Sequence, residues 1–165
     1  LGIDMKEHQK LSKLSLIYCT FFGSGLLPKM PGTYGSLAAM LVAYLISLFS
    51  IINFFFIFSV ILFFISIPIV QKAMKQSKTS DPGWIVIDEV AGQWLSFAFT
   101  PIAILLDHPW LFLVGFILFR FFDIIKPLGI QSLEKLPGAW GVMSDDMLGG
   151  FYAGILLALL AIHAL

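Results

Sequence analysis

The residues able to do chemistry in this sequence are carboxylates that come in sets, with two cations spaced among them. Asp88 and Glu89 are adjacent, as are Asp145 and Asp146, and Asp81 lies a few positions ahead of the first pair. Arg120, Asp123 and Lys126 stand at i, i+3 and i+6, which puts neighbouring members on adjoining turns of a helix. Hard divalent cations such as Mg2+ take carboxylate oxygens, keep several waters and bind jointly to protein and phosphate. An arginine or lysine beside them neutralises phosphate oxygens, arginine through a bidentate fork. The loop expected at Pro31-Gly-Thr-Tyr-Gly-Ser36, directly before the first long apolar run, adds glycines that let backbone N–H groups approach an anion, and the hydroxyls of Thr33 and Ser36. The chemistry within reach is metal-assisted reaction at a phosphate ester.

Other chemistries lack their parts. His8, His108 and His163 are scattered along the chain, and the single Cys19 excludes both a disulfide framework and a cysteine-rich metal site. There is no Gly-x-Ser-x-Gly elbow, no cysteine followed by arginine at phosphatase spacing, and no Asp-x-Asp pair.

The elements that must position these acids belong to a membrane protein. Of 165 residues, 59% are hydrophobic and 12% charged, with ten Lys+Arg balancing ten Asp+Glu. A soluble domain carries about a quarter charged residues, so too little polar surface exists here to cover a globule. A net charge of zero also excludes a nucleic-acid binder steered by a basic face, and the apolar content excludes disorder. The length suits a single membrane-embedded domain, residues 1–165.

Residues 37–70 contain no charge. As one helix they would run roughly 50 Å, against a hydrocarbon core of about 30 Å, so a helical hairpin turning near Ser50–Asn53 is expected. Three further spans fall within 85–165: about 85–106, 110–125, and 147 to the end. Residues 1–20 form a basic arm leading into an amphipathic or shallowly inserted first helix. The class is therefore all-α, a polytopic bundle of about five hydrophobic segments plus that helix. No segment has the alternation of a membrane barrel.

Lysines and arginines orient it. Lys6, Lys10, Lys13 and Lys29 precede the hairpin, Lys72, Lys75 and Lys78 follow it, and Arg120, Lys126 and Lys135 follow the fourth segment. These ends are then cytoplasmic. On that map Asp88 and Glu89 begin segment three, Asp123 ends segment four, and Asp145 and Asp146 begin segment five. All five acids meet at one bilayer edge with Arg120 and Lys126. The histidines fall elsewhere. Taken singly, each feature has a plainer reading: dipole capping for Asp88–Glu89, a structural ion pair for Arg120–Asp123, a topology anchor for Lys126, an N-cap turn for 32–36, and helix packing for Gly150 and Gly154. Convergence from three helix ends favours one site.

Four stretches carry a resemblance: Phe22-Gly-Ser-Gly with Pro31-Gly-Thr-Tyr-Gly-Ser36, Asp81 with Ile87-Asp-Glu-Val-Ala-Gly92, Phe119-Arg-Phe-Phe-Asp-Ile-Ile-Lys-Pro127, and Gly141-Val-Met-Ser-Asp-Asp-Met-Leu-Gly-Gly150. In order and spacing they resemble bacterial phosphatidylglycerophosphatase A, from about residue 21 to the last helix. The resemblance implies a Mg2+-dependent phosphatase of the bacterial inner membrane, acting on phosphatidylglycerophosphate. It also implies that Asp88, Glu89, Asp123, Asp145 and Asp146 are its acidic motif positions. Joined to the topology, this puts Mg2+ among Glu89, Asp123, Asp145 and Asp146. Arg120 and Lys126, with Thr33 and Ser36, would bind the phosphate. Asp88 or Asp145 would orient the attacking water, with a phospho-aspartyl intermediate as the alternative. Two competing classes use the same acids: a small transporter or ion-binding protein, and an alcohol phosphotransferase. The acids' place at the membrane edge, away from its middle, weighs against the transporter.

Overall fold

The computed structural model describes residues 11–50 and 52–163, whose regular structure is entirely helical. Residues 1–10, with Lys6, His8 and Lys10 of the basic arm, lie outside the described part. Helix α1 (Lys13–Cys19) is capped by Ser12, whose hydroxyl accepts from the Ser15 N–H at 3.1 Å. A turn through Ser24–Leu26 leads to α2 (Pro31–Ser47), and α3 spans Phe55–Ser77. Then come α4 (Ile87–Ser96), α5 (Ile102–Asp107), α6 (Trp110–Ile125), α7 (Ile130–Leu133) and α8 (Ala139–His163).

Two helices, α3 and α8, are long and apolar enough to cross a membrane. The expected turn near Ser50–Asn53 lies between α2 and α3, yet these two legs pack chiefly against α4. α4 is the hub. It touches α2, α3, α6 and α8, and only Glu89 and Trp94 of its ten residues are not fully buried. Its neighbours are tied on by polar bonds as well as packing. The Ser59 hydroxyl on α3 donates to the Ala91 carbonyl at 2.7 Å, and the Trp94 indole N–H donates to the Ala39 carbonyl on α2 at 3.0 Å. Large apolar side chains such as Leu45, Phe56, Phe64, Ile117 and Leu159 point outward, as a lipid-facing surface requires.

Three expectations need correction. The third segment is not one helix: it breaks after Ser96 and resumes at Ile102, because Pro101 has no N–H to continue the ladder and disfavours helix at Thr100 before it. The last helix begins at Ala139, eight residues before Met147, so Asp145 and Asp146 lie inside it. Its start is capped from afar, the Ala139 N–H donating to Gln71 Oε1 on α3 at 2.9 Å. Residues 31–36 are not a loop but the first turns of α2, with Pro31 at the first helical position.

The closest helix crossing sets the geometry of the acids. A Cβ on Gly150 of α8 would overlap the Gly92 carbonyl of α4, and one on Gly92 would fall 2.5 Å from the Asp146 carbonyl. Gly92 and Gly150 thus let the two backbones touch. That contact carries Asp146 to the first turn of α4.

Candidate active site

The start of α4, the end of α6, the first turns of α8 and the connections through Asp81 and Glu134 meet around a cavity of about 340 Å3. All five motif acids line it, together with Asp81, Lys126 and Glu134. Asp88, Asp145 and Asp146 are buried, with 6%, 4% and 4% exposure. Charged groups so placed are retained only when paired or held for a ligand.

The acids divide into two groups by what they touch. Asp145 is fully engaged: its Oδ2 accepts from Lys126 Nζ at 2.6 Å and its Oδ1 from the Asp146 N–H at 3.0 Å. Lys126 also reaches Glu134 Oε1 at 3.3 Å. Burial acts to lower the Lys126 ammonium, but the bond to Asp145 and the charges of Asp145, Glu134 and Asp146 outweigh it and hold the group above the ordinary lysine range. A pKa raised on folding contributes stability that is fully present below the unfolded value and lost only as pH rises through the raised one. At neutral pH Lys126 is therefore a fixed positive charge. Asp123 is paired with Arg120 one turn earlier on α6, and Arg120 Nη1 lies 3.9 Å from Glu89 Oε1.

Asp88, Glu89 and Asp146 form the second group. Among the described residues, each of these three offers a carboxylate oxygen, and the three oxygens lie within 4.8 Å of one another. Asp88 Oδ1 and Glu89 Oε2 are buried with no hydrogen-bond partner. Buried acceptors left unmatched in this way cost stability, and a hard divalent cation would match them. The donor set, all carboxylate oxygen with room for water in the cavity, fits Mg2+.

The hydroxyls expected at the phosphate are placed differently. Neither Thr33 nor Ser36 lines the cavity. Thr33 is half-buried on α2, and Ser36 is wholly buried, its hydroxyl donating to the Gly32 carbonyl at 2.8 Å. Gly32 itself matters for space, since a Cβ there would collide with Glu89 Oε1. Glu134 was not singled out by sequence. An acid beside Lys135 in a polar connection carries no signal until α7 folds it against Lys126.

A family model described as phosphatidylglycerophosphatase A matches residues 17–161. The chain belongs to the phosphatidylglycerophosphatase A family. It is 36% identical over 159 residues to phosphatidylglycerophosphatase A of Haemophilus influenzae, covering 93% of this chain and 95% of that one. It is 33% identical over 156 residues to phosphatidylglycerophosphatase A of Escherichia coli K12, covering 92% and 86%. A Bacteroides thetaiotaomicron protein described as a putative phosphatidylinositol-3-phosphatase is 35% identical over 153 residues, covering 89% and 93%. No solved structure matches. Membership makes the chain a membrane-associated lipid phosphatase, a hydrolase of phosphoric monoesters.

Proposed function

We propose that this chain hydrolyses the terminal phosphomonoester of phosphatidylglycerophosphate, releasing phosphatidylglycerol and phosphate with the help of Mg2+ at the cytoplasmic edge of a bacterial inner membrane. The observation that carries the reading is the meeting of Asp88, Glu89 and Asp146 in one cavity, with Asp88 Oδ1 and Glu89 Oε2 unmatched and Arg120 Nη1 3.9 Å from Glu89 Oε1. The named activity of the Haemophilus and Escherichia relatives supplies the substrate.

Residues 1–165 then act as one membrane-embedded domain, multi-pass, with the basic arm and the ends bearing Lys29, Lys72, Lys75 and Lys78 on the cytoplasmic side. α2 and α6, of 17 and 16 residues, rise roughly 24–26 Å, near the thickness of a hydrocarbon core. The break between α4 and α5 is tolerable at membrane depth because the Asn53 amide donates to the Phe97 and Thr100 carbonyls there.

Asp88, Glu89 and Asp146 would hold the cation. Mg2+ bound there would draw charge from the phosphoryl oxygens and fix the headgroup beside the acids. Arg120 and Lys126 offset the negative charge that spreads over the equatorial oxygens. Both oxygens of Asp145 are already engaged, so Asp88 is the better carboxylate to orient water and take its proton. The water oxygen bonds to phosphorus as the bond from phosphorus to the glycerol oxygen breaks, and the leaving oxygen takes up the proton that Asp88 removed from the water. Asp123 pairs with Arg120 from the next turn of the same helix.

The test incubates purified protein in detergent with phosphatidylglycerophosphate, with Mg2+ or with a chelator, and measures free phosphate. Release that requires Mg2+ is expected. Release undiminished by chelation would remove the metal from the mechanism. The inositol-lipid description of the Bacteroides relative supports a second reading, so phosphatidylinositol 3-phosphate is assayed in parallel. Faster release from it would move the substrate to that class.

A further inference from the structure

We infer that Ser36 is a positioning residue that holds Arg120 for the phosphate; this rests on the phosphate-binding role proposed above for Arg120. Ser36 is fully buried and has no surface in the cavity, so its hydroxyl cannot meet a substrate there. The hydroxyl proton is committed, donated to the Gly32 carbonyl one helical turn back at 2.8 Å. That commitment turns the oxygen's lone pairs outward, where Ser36 Oγ accepts from Arg120 Nη1 at 3.3 Å. The remaining neighbours of that nitrogen are acids: Asp123 on the arginine's own helix, and Glu89 Oε1 at 3.9 Å. Asp123 moves with α6 and cannot fix how far the arginine reaches toward α2. Ser36 supplies the fixed point on α2. Being neutral, it anchors the guanidinium without cancelling the positive charge a phosphate needs.

Gly32, on the same face of α2, completes the arrangement. A Cβ there would strike Glu89 Oε1 and stand 3.2 Å from Arg120 Nη1. The first turns of α2 are thus the wall on which the Arg120–Glu89 pair is set.

A double-mutant cycle tests the inference, with kcat, KM and thermal unfolding in detergent measured on phosphatidylglycerophosphate. Ser36→Ala is expected to lower kcat about tenfold with KM little changed, and to have no further effect in an Arg120→Ala background. Ser36→Thr, which keeps the acceptor, restores most of the rate. Should Ser36→Ala fail to fold, Ser36→Cys fills the site with a weak acceptor and serves in its place. Equal loss in both backgrounds, or wild-type kcat in Ser36→Ala, overturns the inference while leaving Arg120 in its role. Wild-type kcat in Arg120→Ala refutes the phosphate role of Arg120 itself.

Discussion

The two ends of α4 are built on opposite plans. Its first turn presents Asp88 and Glu89 to a cavity, with carboxylate oxygens that nothing in the protein matches. Its last turn runs into a close aromatic cluster, where the Phe97 ring lies 6.0 Å from Phe55 and 5.0 Å from Phe112. Leu105, Leu111 and Leu157 close around them. Backbone carbonyls freed by the break are met from within the protein, although Gln93 Oε1 and Thr100 Oγ1 stay without partners. Asn53, in the turn between α2 and α3, donates to the carbonyls of Phe97 and Thr100 at 2.9 and 2.7 Å, and accepts from the Phe55 N–H at 3.0 Å. One end is closed by packing; the other gathers carboxylates around a cavity. Stability and activity should therefore respond in opposite senses at the two ends.

The largest effect is expected at the open end. Asp146→Asn removes one carboxylate from the triad and should cut phosphate release about a thousandfold. Because it also relieves repulsion among crowded acids, the melting temperature should stay level or rise. A variant that loses stability along with activity would make Asp146 a structural residue and erase the contrast. At the closed end Asn53→Ala takes the donor from the Thr100 carbonyl and leaves the Phe97 carbonyl only the 3.4 Å bond from the Thr100 N–H. It should cost about 2 kcal/mol in detergent unfolding while the folded fraction keeps near-normal kcat. A variant as stable as the parent would mean that the break needs no cap.

Much of this division was legible in the sequence. Charge is scarce enough that each acid's place along the chain is informative, and the adjacent pairs at 88–89 and 145–146 already pointed to a shared edge. The turn before α3 was readable because Ser50–Asn53 is the most polar point of an apolar run. The break after Ser96 was hidden inside apolar residues, where hydropathy is blind to backbone continuity; Pro101 was its one local sign. The early start of α8 depends on Gln71, 68 residues away, which no local pattern contains. The division of labour among the acids was equally invisible. Asp145 and Asp146 are neighbours in sequence, yet their side chains project about 100° apart around the helix. One finds Lys126 and the other finds Asp88 and Glu89.

The central claim is that Asp88, Glu89 and Asp146 together hold a divalent cation. Calorimetric titration of the purified protein in detergent with Mg2+ tests it without reference to turnover. The account predicts saturable binding to the unaltered chain and its loss in Asp88→Asn, Glu89→Gln and Asp146→Asn. Undiminished Mg2+ affinity in all three variants would contradict it.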